Sequence, residues 1–244
     1  MNSYDHDQDY ALPYHWSMSA DDLAGGGTDY WQYVNKALEI IGGLPRGQVL
    51  EVGCGDGRIA AEIAARFSEA EVTAVDVSER AIGFAKLLAP RVDFRVADVF
   101  TLTGTYEVIV LIEVLEHIAA NEVSAFLRKL YGLLADHGSL VLSVPTLQLP
   151  RWHPGHVQHF SESTLREALE RAGFRVAECA FHLDVRLSRY SRLGRLAIRL
   201  FHNRVWTLKP GLALLRRISA SHAFPETGRY AGRLIVRATK TTAA

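Results

Sequence analysis

The feature that most constrains this chain is an alternation of β-rich segments with segments of helical periodicity, starting near residue 48. Strands of uniformly apolar character that alternate with helices indicate a parallel sheet covered on both faces. Ser78, Asn121 and Ser161 stand where helix caps are expected. The β-rich segments are QVLEV (48–52), EVTAVDV (71–77), VDFRVADV (92–99), YEVIVLIE (106–113), SLVLSVP (139–145) and FRVAECAFH (174–182). The chain therefore predicts an α/β fold.

Acidic residues close four consecutive strands of this predicted sheet: Glu51, Asp76, Asp98 and Glu113. Ligands of parallel α/β sheets bind beyond the carboxyl ends of the strands. A carboxylate at Asp76 can accept both hydroxyls of a ribose, and one at Asp98 can take the exocyclic amine of an adenine. A single acid at a strand end is commonly a turn residue or a cap. Four such acids in succession indicate a ligand site.

A glycine-rich turn follows the first strand in LEVGCGDGRIA (50–60). Gly53, Gly55 and Gly57 allow backbone dihedrals that are closed to other residues and let the chain pass close to a ligand. Their spacing differs from the G-x-G-x-x-G of dinucleotide enzymes, and Glu51 is unfavourable beside a pyrophosphate. A cationic or amino-bearing ligand therefore fits this turn better.

These segments resemble the class I S-adenosylmethionine-dependent methyltransferases. The resemblance implies a Rossmann-like, seven-stranded, mostly parallel sheet of order 3-2-1-4-5-7-6 with helices on both faces. It also implies S-adenosyl-L-methionine as the cofactor. The matching stretches are VLEVGCGDGRIA, VTAVDVS, FRVADVF, YEVIVLIEVLEHI and GSLVLSVP, with RLIVRATK (233–240) as the expected last strand.

The same resemblance implies how the cofactor is held. Asp76 would bind the ribose, with Val77 against the adenine. Asp98 and the amide of Val99 would contact the adenine edge, and the backbone near Glu113 would meet the cofactor amino group. The methionine moiety would be held by the first turn, through Glu51, Gly53, Cys54, Gly55 and Gly57.

The segment EVLEH (113–117) raises the question of a metal. It is similar to a stretch of the ubiquinone-biosynthesis O-methyltransferases and the small-RNA 2′-O-methyltransferases, in which two glutamates and a histidine bind a divalent ion. Glu113, Glu116 and His117 would then be ligands, with His156 or His159 as a fourth. Metal-free relatives carry similar segments, and HPGHVQHFS (153–161) differs from the histidine arrangement of the RNA enzymes. We therefore expect an enzyme without a bound metal.

Histidines supply the candidate base. A sulfonium methyl is already activated, so the protein mainly aligns the acceptor and excludes water, while a hydroxyl acceptor also benefits from a base of near-neutral pKa. His117 follows the fourth strand, and His153, His156 and His159 follow the fifth. HVQHFS is similar to a pattern in many small-molecule methyltransferases. We expect His156, and after it His117, to act as the base; hydrogen-bonded structural histidines are the alternative.

Two segments are expected to cover the core. We predict an N-terminal helical lid over 1–44, a methyltransferase core over 45–182 and 233–244, and a helical insertion over 183–232 that caps the substrate. Residues 1–30 contain six Asp and no Lys or Arg, whereas the insertion has a basic amphipathic pattern. That pattern suits an anionic or phosphorylated acceptor, an anionic membrane surface, the acidic N-terminus, or simply a solvated helix face. The arginines that recur at three- and four-residue spacing in this pattern are Arg186, Arg189, Arg192, Arg195 and Arg199.

Composition limits the remaining alternatives. Only two cysteines occur, the chain begins with acidic residues, and no apolar run has membrane-spanning length, so we expect a cytoplasmic protein. No separate nucleic-acid-binding module is present, which disfavours RNA. We predict methyl transfer to a hydroxyl of a small metabolite by direct in-line displacement. The alternatives are a metal-dependent enzyme, an enzyme directed to a membrane or RNA substrate, and a cofactor-binding module without turnover.

Overall fold

The structure is a computed structural model that describes residues 5–17, 27–42, 47–149, 154–183 and 231–241. The predicted basic helix and His153 lie outside these residues. Within the described part of the chain, no helix combines the length and the apolar character needed to cross a bilayer. The predicted division into lid, core and insertion stays a prediction.

One seven-stranded sheet organises the described residues, in the order β3-β2-β1-β4-β5-β7-β6. Strands β1 to β5 pair in parallel, and β7 runs antiparallel to both β5 and β6. The predicted sheet order is confirmed. The strands are β1 (Gln48–Val52), β2 (Glu71–Asp76), β3 (Asp93–Val96), β4 (Tyr106–Ile112), β5 (Leu134–Pro145), β6 (Phe174–Leu183) and β7 (Ala231–Lys240).

Helices lie on both faces of this sheet, as predicted. Buried positions alternate along β4: Val108 and Val110 pack with α2, α3 and α4, whereas Ile109 and Leu111 pack with α5 and α6. The α-helices are α1 (Tyr14–Ser17), α2 (Gly27–Ile41), α3 (Arg58–Arg66), α4 (Glu79–Leu88), α5 (Val123–Leu133) and α6 (Glu162–Arg171). Three short 3₁₀ helices cover His6–Tyr10, Val99–Thr101 and Leu115–His117.

Two of the three predicted caps are confirmed. Ser78 caps α4 by accepting the amide of Ala81, and Ser161 opens α6 in a reciprocal capping box with Thr164. The prediction for Asn121 is wrong, because α5 begins at Val123 after Glu122. The amides of residues 122 and 123 both donate to the carbonyl of Ala119, so a backbone turn starts this helix.

Two strand boundaries differ from prediction by more than two residues. Strand β3 ends at Val96, so Asp98 follows the strand and does not close it. Strand β5 begins five residues early, at Leu134, because Tyr106 pairs with Leu134 while Val108 pairs with Ser139. A bulge in this ladder accommodates residues 135–138 (ADHG), which include turn-forming Asp136 and Gly138.

Candidate active site

The turn between β1 and α3 has the backbone that its glycines predicted. Gly53, Gly55 and Gly57 have φ of 71°, 54° and 79°. A Cβ on Gly57 would lie 2.6 Å from Phe94 Cζ and 2.7 Å from Ala85 Cβ. The third glycine is therefore required by the packing of α3 on β3 and α4, while the first two shape the ligand-facing part of the turn.

Asp76, the last residue of β2, joins this turn to the next one. Its carboxylate accepts the amide of Gly55 at 2.8 Å and the amide of Ser78 at 2.9 Å. Burial raises the pKa of Asp76, although these amides act against the shift. Val77 directly after it is 59% exposed, which leaves an apolar surface beside the carboxylate. Each carboxylate oxygen has a second lone pair, so Asp76 can still accept a ligand hydroxyl.

Glu51 near the end of β1 and Cys54 within the turn both have buried side chains. The Glu51 carboxyl is buried, and the backbone of Ala60 at the start of α3 donates to it. Burial raises its pKa well above the usual range. Its Oε2 atom has no hydrogen-bond partner among the described residues. The Cys54 thiol is also buried, and burial raises its pKa. Glu51 thus offers a buried acceptor toward the turn.

Asp98 is exposed and caps a 3₁₀ helix. Its carboxylate accepts the amide of Phe100 at 2.9 Å, while the side chain of Val99 is buried. This helix cap uses one of the acceptor positions of the Asp98 carboxylate. Its position beyond β3 still places it at the same edge of the sheet as Asp76.

Glu113 adopts a strained backbone directly after β4. It is the only non-glycine residue with positive φ (55°) in the described ranges. Such a conformation costs about 1–3 kcal/mol and is concentrated at functional sites. Its carboxylate accepts Ser143 Oγ at 2.8 Å and Arg233 Nε at 2.8 Å, and Arg233 lies over the ring of Tyr33. The carboxylate is therefore engaged by β5 and β7.

A second carboxyl, that of Glu116, is buried in the 3₁₀ helix after β4. Both of its oxygens lack a hydrogen-bond partner among the described residues. Burial, and then the charge of Glu113, raise its pKa well above the usual range. The loop after β5 is fixed on this helix, because the amide of Val157 donates to the Glu116 carbonyl at 3.0 Å and Gln158 Nε2 donates to the Ile118 carbonyl at 2.6 Å.

Three potential ligand atoms converge at this point. Glu116, His117 and His156 each offer an atom within 4.8 Å of the other two, and His156 Nε2 lies 3.9 Å from Glu116 Oε1. Glu113 is not part of this group of described residues, and its carboxylate is engaged by Ser143 and Arg233. The two histidines predicted as bases are brought together, with ring centroids 4.8 Å apart.

The N-terminal segment contacts the glycine turn through Asp56, which the sequence reading did not select. Asp56 is fully buried, and its carboxylate accepts the amide of His15 at 3.0 Å and lies 2.9 Å from His15 Nδ1. Trp16 Nε1 donates to its carbonyl at 2.8 Å. The Tyr10 hydroxyl lies against Gly55. The position of Asp56, a charged residue between Gly55 and Gly57, was the sequence feature that could have indicated this contact.

The fold and the site together have the architecture of a Rossmann-like methyltransferase. The sequence model of a family described as a methyltransferase domain matches residues 28–178, more than half of the chain. The chain belongs to the class I S-adenosylmethionine-dependent methyltransferases, and its cofactor is S-adenosyl-L-methionine.

Individual relatives are similar over shorter stretches. The ubiquinone biosynthesis O-methyltransferase of Nitrosomonas europaea is 40% identical over 93 residues, which are 35% of this chain and 39% of the relative. The trans-aconitate 2-methyltransferase of Methylobacterium radiotolerans is 36% identical over 98 residues, 39% of this chain and 37% of the relative. The chain thus spans about two fifths of the curated relatives it matches.

Solved structures share the fold. The magnesium protoporphyrin IX methyltransferase of Synechocystis, solved with bound S-adenosylmethionine, superimposes with a TM-score of 0.60 at 17% identity. That likeness covers 99% of this chain and 100% of the other.

Proposed function

We propose that this enzyme transfers a methyl group to a hydroxyl of a small metabolite by direct in-line displacement. The observation that carries the proposal is the convergence, at the carboxyl edge of the sheet, of the glycine turn, Asp76 and the Glu116–His117–His156 cluster. The relative from Nitrosomonas europaea is named as an O-methyltransferase, which favours an oxygen acceptor.

The cofactor-binding residues in this proposal are those named from the sequence. The buried, unpartnered Oε2 of Glu51 fits an amino group, and the positive-φ glycines form a cradle that a side chain would obstruct. Asp76 fits the ribose hydroxyls, and the exposed Val77 fits the adenine face. The full set is Glu51, Gly53, Cys54, Gly55, Gly57, Asp76, Val77, Asp98, the amide of Val99 and the backbone of Glu113.

The proposed base is His156, with His117 as the second choice. The bound cofactor supplies an electrophilic methyl group. His156 accepts the hydroxyl proton as the acceptor oxygen attacks the methyl carbon and the carbon–sulfur bond breaks. The loop that carries His156 is fixed by backbone hydrogen bonds to Glu116, so the imidazole is held in place before the acceptor binds.

The first experiment separates binding from turnover. Titration of S-adenosylmethionine into the protein is expected to release heat, and a panel of hydroxyl, amine, carboxylate and phosphorylated acceptors is expected to give S-adenosylhomocysteine with hydroxyl compounds. Heat without product from any acceptor would favour a cofactor-binding module. Absence of heat would contradict the proposal. Salt-sensitive retention on anionic vesicles or RNA would favour the membrane- or RNA-directed alternative.

We further propose that the N-terminal segment acts as a lid, since Asp56 holds His15 and Trp16 over the glycine turn. Replacing His15 with alanine is expected to speed cofactor release about tenfold, because the buried Asp56 carboxylate loses its hydrogen-bond partner on the His15 side chain. Stopped-flow dissociation measures this. His137→Ala, which changes an exposed histidine on β5, is the matched control. Equal release rates for the His15 variant and wild type would contradict the lid.

A metal-dependent reaction is the second candidate, and one observation favours it. Glu116 has two buried oxygens without hydrogen-bond partners among the described residues, beside two imidazoles. A carboxylate and two imidazoles suit Zn²⁺, Mn²⁺ or Fe²⁺, so these residues fit a divalent ion. Glu116, His117 and His156 would hold it, and it would polarise the acceptor hydroxyl.

Chelation tests this candidate against the metal-free expectation. If a metal is held, the purified protein should contain about one equivalent, EDTA should lower both activity and the melting temperature, and adding the ion should restore both. Glu116→Gln should lose the metal, whereas Glu122→Gln, beyond the cluster, should keep it. Absence of metal, and of any thermal shift with Zn²⁺, Mn²⁺, Fe²⁺ or Mg²⁺, would exclude the candidate.

A further inference from the structure

We propose that His159 is a positioning residue, which fixes the tautomer of His156 so that the Nε2 lone pair of His156 faces the reaction site. The inference concerns an imidazole pair outside the cofactor site. Its catalytic meaning rests on the proposed function, in which His156 is the base. The tautomer itself follows from the geometry of the loop between β5 and α6.

The chain of reasoning starts at backbone carbonyls. His159 is buried, and its Nδ1 lies 3.1 Å from the carbonyl oxygen of Thr146 and 3.0 Å from that of Leu149. A carbonyl oxygen only accepts hydrogen bonds, so Nδ1 of His159 carries the hydrogen. In a neutral imidazole the other nitrogen, Nε2, then carries the lone pair.

The next step passes this assignment to His156. The Nδ1 atom of His156 lies 3.0 Å from Nε2 of His159. Because that Nε2 is an acceptor, His156 Nδ1 is the donor and carries the hydrogen. His156 Nε2 therefore has the lone pair, on the side where Glu116 Oε1 lies 3.9 Å away.

His117 has the same tautomer as His156, but a different hydrogen bond fixes it. Its Nδ1 lies 3.1 Å from the carbonyl of Gly155, so its Nε2 also carries the lone pair. Among the described residues, the carboxyl of Glu116 and the rings of His117 and His159 lie beside His156, and the ring of His6 lies 5.1 Å from that of His117. Both histidines of the Glu116–His117–His156 cluster therefore carry their hydrogen on Nδ1 and their lone pair on Nε2.

This arrangement gives His159 a role that a packing residue lacks. If residue 159 cannot accept a hydrogen bond, His156 Nδ1 loses the acceptor nitrogen that holds its hydrogen in place. His156 is then able to adopt the Nε2–H tautomer, in which the nitrogen nearest the site has no lone pair to accept a proton. A phenylalanine at 159 retains the ring and removes the acceptor. A glutamine retains an oxygen that accepts and a nitrogen that donates.

The test reads the tautomer directly. Protein labelled with ¹⁵N-histidine is examined by two-bond ¹H–¹⁵N correlation at about pH 9, where ordinary imidazoles are neutral. Wild type is expected to show His156 as the Nδ1–H tautomer, His159→Phe as the Nε2–H tautomer, and His159→Gln as the Nδ1–H tautomer. The kcat of His159→Phe is expected to fall about 100-fold with little change in KM, and His159→Gln to recover most of it.

The outcomes separate the inference from the proposed function. An Nε2–H tautomer for His156 in wild type, or an unchanged tautomer and kcat in His159→Phe, would overturn the inference. If His159→Phe does not fold by circular dichroism, the wild-type spectrum alone decides it. An Nδ1–H tautomer in a protein that methylates no hydroxyl acceptor would support the positioning role while removing the proposed function. His137→Phe serves as the control for a general histidine substitution.

Discussion

Replacing Asp76 with alanine is expected to weaken S-adenosylmethionine binding about 10²- to 10⁴-fold. A carboxylate that accepts both ribose hydroxyls contributes about 1.5–3 kcal/mol for each hydrogen bond, and each 1.4 kcal/mol changes the dissociation constant tenfold. The variant also removes the acceptor of the amides of Gly55 and Ser78, which lie 2.8 Å and 2.9 Å away. Both losses act on the same ligand-facing turn.

Calorimetric titration measures this effect, and two variants sharpen it. Asp76→Asn keeps one carbonyl acceptor and is expected to bind with intermediate affinity. Asp93→Asn changes an exposed acid at the start of β3 that pairs with Arg95, and it should bind like wild type. An affinity of Asp76→Ala within threefold of wild type would show that the cofactor is not held by this carboxylate.

The strands and their acidic ends were accessible from sequence for a physical reason. A strand buried on both faces must be apolar along its length, so each central strand stands out as a continuous run. Parallel strands place their carboxyl ends at one edge, so Glu51, Asp76 and Glu113 lie near one another once the runs are aligned. Asp98 was predicted to end β3, but it lies two residues beyond the strand, because β3 ends at Val96 and Asp98 caps a 3₁₀ helix.

Partners far apart in sequence were not accessible in the same way. Arg233 meets Glu113 across 120 positions, and His15 meets Asp56 across 41. These pairs depend on how β7 and the N-terminal segment pack, which no local pattern specifies. The position of Glu113 after β4 was predicted, but the ion pair between its carboxylate and Arg233 could be seen only in the tertiary structure.

The histidine cluster was partly predictable from the sequence and partly dependent on tertiary contacts. His117 was selected because it follows the fourth strand, and His156 because it follows the fifth strand and begins HVQHFS, which resembles a pattern of small-molecule methyltransferases. The structure places their rings 4.8 Å apart. The part played by His159 depends on the carbonyls of Thr146 and Leu149, which approach it only when the loop folds back. Residue identity therefore indicated the kind of chemistry, and backbone geometry assigned the nitrogen that can perform it.

Replacing His156 with alanine is expected to lower kcat about 10²- to 10⁴-fold while the affinity for S-adenosylmethionine stays within about threefold of wild type. The base acts on the acceptor proton, whereas the cofactor is proposed to contact residues of the glycine turn and β2. His137→Ala, at an exposed position on β5, should retain wild-type kcat. The kcat of His117→Ala is expected to fall about tenfold, because the His117 ring packs against His156 and only secondarily serves as the base.

The dependence on acceptor acidity distinguishes a base from a residue that only shapes the site. An acceptor whose hydroxyl ionises readily needs little help, so the loss caused by His156→Ala should shrink along a series of phenols of decreasing pKa. Steady-state release of S-adenosylhomocysteine across that series gives the measurement. A loss of equal size for every phenol, or near-normal kcat throughout, would contradict the assignment. If wild type carries a metal that His156→Ala loses, the effect belongs to the metal-dependent candidate, because His156 would then act as a ligand.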